Sequence, residues 1–194
     1  MFSTRDSGSL PRAVIVSVAL SMWAVHAARA DIINVPEDYP TIQEAINAAL
    51  DGDEIVVAEG TYVENINLLG KAVILRSTDP EDLEVVLATA IDAEETGTVV
   101  TCASGEGTDT VISGFTIRNG VAVEGGGMRI IASSPTIDAC WFTYNSAEDG
   151  GGIYNGDNAA PAIIDCMFMH NTATWYGAAI CNIDSHPTVT GCTF

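Results

Sequence analysis

Positive charge is what this chain has least of. Seven Lys or Arg stand against 26 Asp or Glu in 194 residues, a formal net charge of −19 with histidines neutral. A surface this acidic repels phosphate backbones and anionic headgroups, which disfavours nucleic-acid and membrane-surface binding. It suits solubility, cation uptake or a salty external medium and does not select among them. Helical patterning is scarce as well. One amphipathic segment near residue 42 has no successor, which argues against βαβ crossovers and a doubly wound sheet. No CxxC pair or Cys/His spacing points to zinc. Linkers and low-complexity tracts are missing too, so residues 31–194 read as one domain.

A long apolar run occurs once. Ala13 to Val25 carries no charge over 13 residues, follows Arg5 and Arg12, and precedes the small-residue pattern Ala28-Arg29-Ala30. Too short to span a bilayer, it reads as a signal peptide over residues 1–30, cleaved between Ala30 and Asp31. The expectation is an exported protein, secreted or at the cell surface, with no transmembrane segment after cleavage. Cleavage takes three Arg and one Asp with it, leaving four basic and 25 acidic side chains and a charge of −21. Disulfides are permitted outside the cell. The five cysteines are an odd number, so at least one thiol stays unpaired within the chain.

What the sequence does have is a repeat. Pro135, Pro161 and Pro187 are 26 apart, as are Cys140, Cys166 and Cys192, and Phe142, Phe168 and Phe194. Asn119, Asn145 and Asn171 keep the same spacing, each followed by a loop and a small-residue cluster: Gly125-Gly126-Gly127-Met128, Gly150-Gly151-Gly152-Ile153 and Gly177-Ala178-Ala179-Ile180. A fixed period of this size means stacked structural units. Three short strands are expected per unit, one after the Gly cluster, one at Pro-x-Ile and one at Cys-x-Phe. The fold class is then all-β, a right-handed parallel β-helix with coils about 4.8 Å apart. Ile/Val, Cys and Phe form inward ladders, with Cys packing as a small hydrophobe. Asn119, Asn145 and Asn171 form an amide ladder at a bend.

Ahead of the repeats, Thr41 and Glu44 form a capping box, and Ile42, Ala45, Ile46 and Ala49 share one face of a short helix. That helix caps the first coil and protects its open edge. The organisation expected is a cap over 31–53, irregular coils over 54–110 and regular coils over 111–194. Val85-Val86-Leu87 is read as one of the irregular strands. Phe194 stands where the next Phe-x-x-Asn begins, so the chain reads as stopping inside a coil, a truncated β-helix.

The segments Tyr39-Pro40-Thr41-Ile42-Gln43-Glu44-Ala45-Ile46, Gly52-Asp53-Glu54-Ile55-Val56-Val57 and Gly60-Thr61-Tyr62-Val63-Glu64 resemble the opening of pectin-lyase-like β-helix proteins, which pectin methylesterases and periplasmic copper-site assembly proteins share. The later repeats are similar to those of chlamydial polymorphic outer-membrane proteins. Phe142-Thr143-Tyr144-Asn145 and Phe168-Met169-His170-Asn171 match the Phe-x-x-Asn motif, and the Gly clusters match a Gly-Gly-Ala-Ile type approximately. The resemblance implies a secreted or surface-displayed β-helix. Catalytic members act on acidic polysaccharides, and their Asp-Asp and Asp-Phe-Ile-Phe-Gly motifs are missing here.

Two constellations remain as candidate sites. Glu124 and Asp149 precede successive Gly clusters, with Tyr176 one coil later. Stacked carboxylates about 5 Å apart repel, which raises a pKa or recruits calcium. They also read as solvated loop acids. Trp141, Tyr144, Trp175 and Tyr176 (with Tyr154) lie at outward or loop positions. Rigid aromatics with polar tips suit sugar stacking, or they pack on neighbouring coils. Arg118, Tyr144 and His170 are expected to form an outward column beside the Asn ladder. No cofactor is required, calcium apart. The function expected is a non-catalytic exported β-helix for display, adhesion or contact with extracellular polysaccharide. The alternative is the N-terminal part of a polysaccharide lyase or hydrolase whose catalytic coils lie beyond residue 194.

Overall fold

The structure, a computed structural model, describes residues 30–194, so the signal peptide expected over 1–30 lies outside the described residues. The chain winds as a parallel β-solenoid with four sheets along its length. Sheet A stacks Ile32–Val35, Glu54–Val57, Ile74–Ser77, Val111–Ser113, Thr136–Asp138, Ala162–Ile164 and Thr188–Thr190. Sheet B stacks Gly60–Val63, Thr89–Asp92, Thr116–Arg118, Trp141–Thr143 and Met167–Met169. Sheet C stacks Ile66–Asn67, Val100–Cys102, Met128–Ile131, Ile153–Gly156 and Ile180–Asn182, and sheet D stacks Val121–Glu124, Ser146–Asp149 and Thr172–Tyr176. A regular coil therefore has four strands, not three. The stretch after Asn145 was not legible as a strand because Ser146-Ala147-Glu148-Asp149 has little of the apolar alternation that marks one.

Alternation fills the core. Ile55, Leu75, Ile112, Ile137, Ile163 and Val189 are successive in-register partners in sheet A. The first five are fully buried. Their numbers show coils of 20, 37, 25, 26 and 26 residues. On the inner side of sheet B the rings of Phe142 and Phe168, and of Phe194 beyond its last strand, stack at 5.0 and 5.3 Å, the ladder the period predicted. Cys140, Cys166 and Cys192 form a column too, each thiol directed at the carbonyl of the preceding coil's Ile112, Ile137 or Ile163 at 3.6–3.7 Å. All five cysteines are free thiols. The adjacent Cys140 and burial push the Cys166 thiol pKa up, so it stays protonated.

The first helix, α1 (Ile42–Ala48), lies over the N-terminal end of the solenoid and buries Ile42, Ala45 and Ile46. Thr41 caps it as expected, accepting from Glu44 N at 3.2 Å. The acid that completes the cap is Glu64 of the next coil, whose carboxylate accepts from Ile42 N at 2.8 Å and Gln43 N at 3.0 Å. A second helix, α2 (Leu83–Ala88), stands where a strand through Val85-Val86-Leu87 was expected. Asp82 supplies its N-cap, accepting from Glu84 N at 2.9 Å, and Val86 anchors it by burial. A β-branched run reads as strand only until a cap and a docking site override it.

The Asn ladder is shorter than its spacing implied. Asn145 and Asn171 belong to it: Asn145 Nδ2 donates to Asn171 Oδ1 at 3.1 Å and to Ile117 O at 2.9 Å. Asn119 does not. The coil between sheet B strands is 25 residues there, pairing Thr143 with Arg118, which moves Asn119 into register with Tyr144. Gly120 takes the ladder position instead, and its N–H donates to Asn145 Oδ1 at 2.9 Å. A side chain at Gly120 has no room, since a Cβ there would come within 1.8 Å of Gly126 O. The same slip removes Arg118 from the column expected with Tyr144 and His170.

A candidate ligand cleft on the outer face of sheet B

Sheet B turns Phe and Ile inward, so alternation turns Thr116, Arg118, Trp141, Thr143, Met167 and Met169 outward. Helix α2 stands beside this face as a wall, held by Thr116 Oγ1 donating to Val86 O at 2.9 Å. Between them a cleft of about 410 Å³ is lined by Leu87, Thr116, Arg118, Trp141, Thr143, Tyr144, Met169 and His170. A smaller cavity of about 160 Å³, also lined by Trp141, lies against Leu83, Val86, Cys140 and Met167.

Apart from Leu87 on α2, the residues of the cleft come from three successive coils. Tyr144 and His170 occupy the bend that follows the sheet B strand, at φ +55° and +56°, with rings stacked at 4.9 Å and 17° between planes. Asn119 adopts the same conformation at φ +57°. Trp141 is half-buried, and its indole N–H has no acceptor among the described residues. Arg118 Nε donates to Asp92 Oδ2 at 2.7 Å, and Asn119 Nδ2 donates to both Asp92 oxygens at 3.0 Å. Burial alone raises the pKa of Asp92, but the Glu94 N–H, the Asn119 amide and the Arg118 guanidinium together hold it below the usual carboxylate value. The acid is therefore charged at neutral pH and fixes the guanidinium in the cleft wall.

Of the four aromatics expected to touch a ligand, the structure brings Trp141 and Tyr144 together and leaves Trp175 and Tyr176 on sheet D. Glu124, Asp149 and Tyr176 do stack in register as expected. Both acids are already partnered. Glu124 forms an ion pair with Arg129 at 3.0 Å, and Asp149 accepts from Tyr176 N at 3.1 Å. Tyr154 sits close by, its phenol pKa raised by burial and by the Glu124 and Asp149 charges. No group of three His, Cys, Asp or Glu side chains is gathered as for a metal among the described residues. Sequence reading missed Asp92, Leu87 and Met169. Asp92 precedes Arg118 by 26 residues, so the repeat period already pointed to it.

Fold and cleft define the class: a parallel β-solenoid with an aromatic, half-apolar cleft on its outer face. In comparisons with known proteins, no family model and no curated protein matches the chain. No helix among the described residues is long and apolar enough to cross a membrane.

Proposed function

We propose that this is an exported, non-catalytic β-helix scaffold for surface display, adhesion or glycan contact, with the sheet B cleft as its contact site. The observation that carries this is the convergence of Trp141, Tyr144, His170 and Arg118 from three coils into one cleft. Aromatic faces beside fixed donors are what sugar recognition uses, apolar ring faces on one side and hydroxyls on the other. Binding without cleavage fits the groups present. Arg118 is tied to Asp92, and His170 is stacked on Tyr144 rather than hydrogen-bonded to a nucleophile or acid. The likeness of residues 39–64 to pectin-lyase-like openings and of the repeats to chlamydial surface proteins supports export and display.

Retention on immobilised polysaccharide, followed together with Trp fluorescence, tests this. Wild type is expected to be retained and Tyr144→Ala to elute earlier, with no sugar released from the matrix. Equal elution of the two proteins rejects the cleft as the contact site. A lyase or hydrolase is the second reading, favoured by the basic-plus-acidic patch of Arg129, Glu124 and Asp149 beside Tyr154. Release of reducing or unsaturated ends that Arg129→Met abolishes would establish it.

A further inference from the structure

We propose that the Tyr144–His170 ring stack has a vacant place, one coil toward the N-terminus, that seats a single neutral pyranose ring. The ligand is then a neutral polysaccharide rather than an acidic one. This rests on the glycan reading of the cleft and deepens it.

The vacancy follows from register. The bend position after the sheet B strand is occupied in three successive coils by Asn119, Tyr144 and His170, all with φ between +55° and +57°. Two of the three carry rings, stacked face to face at 4.9 Å. The third carries an amide whose donors go to the Asp92 carboxylate, so it does not cover Tyr144. Tyr144 therefore has one face on His170, and the residue as a whole remains 61% exposed. Coils repeat at about 4.8 Å, which is the thickness a stacked ring needs. The Phe ladder of the same sheet shows that spacing filled by rings at 5.0 and 5.3 Å. A six-membered ring laid on the open face of Tyr144 continues the stack by one step.

The walls of that place select chemistry. Leu87 of α2 and Arg118 border it with Tyr144. Arg118 uses Nε on Asp92 and makes no hydrogen bond through its two terminal amino groups among the described residues, which leaves donors for ring hydroxyls. Asp92 also cancels the Arg118 charge, so the seat offers hydrogen bonds without net attraction for an anion. The rest of the chain, at −19, repels a polyanion running across several coils. Neutral sugar chains meet no such repulsion.

The experiment passes the full chain over immobilised β-glucan, mannan, galactan and polygalacturonate, from about 10 mM to about 500 mM salt. At least one neutral matrix is expected to retain it equally at both salt levels, and polygalacturonate is not. Asn119→Tyr places a protein ring in the vacancy, in a backbone conformation that Tyr144 itself adopts, and weakens neutral-glycan binding roughly tenfold or more. Asn119→His, the residue type at position 170, does the same, so a folding defect in one variant does not decide the matter. Tyr144→Ala is likewise expected to weaken binding, and Val123→Ser on sheet D to leave it unchanged. Retention on polygalacturonate alone overturns the neutral-ring inference and leaves glycan contact standing. Neutral binding that survives Asn119→Tyr, Asn119→His and Tyr144→Ala overturns the placing. Retention on none of the four matrices overturns both readings.

Discussion

Asn145 shows how much one residue can hold in a solenoid. It is buried, its Oδ1 accepts from Gly120 N, and its Nδ2 donates to Ile117 O and Asn171 Oδ1. Three coils are joined through one amide. Asn145→Ala leaves the buried Gly120 N–H without its acceptor and takes the amide donor from Ile117 O and Asn171 Oδ1, which costs about 1–3 kcal/mol. Urea unfolding is expected to show the unfolding free energy falling by that amount, seen as a lower midpoint with the slope unchanged, and a loss below about 0.5 kcal/mol contradicts the assignment. Asn119 had the same 26-residue spacing in the sequence and a different fate. Spacing along the chain reports register only if every intervening bend has one length, and the coil before Asn145 is one residue short. The Phe and Cys columns were legible because they lie after that short coil, and the residues of the cleft were harder to place because they straddle it. Tyr144 and Trp141 were found as aromatics, whereas their grouping with Arg118 needed the fold.

At the scale of the element, the short helix α1 is held from outside itself. Seven residues gain little from intrinsic helix stability. Glu64 takes its first two free N–H groups, and Lys71 Nζ donates to Ile46 O at 2.6 Å, Asn47 O at 2.8 Å and Ala49 O at 2.7 Å. Both come from the coils beneath it. The sequence showed the helix and its apolar face but not these clamps, since a capping partner some 22 residues away leaves no local pattern. Lys71→Met removes a charged donor from three carbonyls and is expected to destabilise the cap by about 1–3 kcal/mol. Hydrogen exchange should report it locally: amides of Ala45 to Ala49 exchange at least about tenfold faster, while those of Ile137 and Ile163 keep their protection. Uniform acceleration across the solenoid would show instead that cap and coils unfold together. Helix α2 has the opposite lesson. Its sequence favours a strand, yet Asp82 and the pocket that receives Val86 make it a wall of the cleft, with Leu83 and Leu87 left facing out.

For the whole molecule the dominant quantity is charge. Coils stack in register, so acids recur on neighbouring coils, and the net −19 opposes compaction at neutral pH. Three acids work the other way. Glu106 is buried, and although burial alone raises its pKa, the Ser104 and Gly70 N–H groups and the Ser133 hydroxyl hold it below the ordinary value. Asp53 is held low by the Asp31 and Leu50 N–H groups, and Asp92 by its contacts at the cleft. A carboxyl whose folded pKa lies below its unfolded one binds its proton more readily in the unfolded chain. Such a group stabilises the fold fully above the unfolded value, about 4 for Asp and Glu, and that contribution disappears as pH falls through the folded value. Salt and acid therefore act in opposite directions on this protein. At pH 7 the thermal midpoint is expected to rise as salt goes from about 10 mM to about 500 mM, because repulsion between surface acids is screened. Below about pH 4 stability should fall steeply. Glu106→Gln is expected to lower stability at pH 7 and to flatten the acid limb, because it removes one of the groups that must be protonated. Thermal melts across pH 2–7 on both proteins decide this: parallel acid limbs would mean that Glu106 is not among the groups whose protonation unfolds the solenoid.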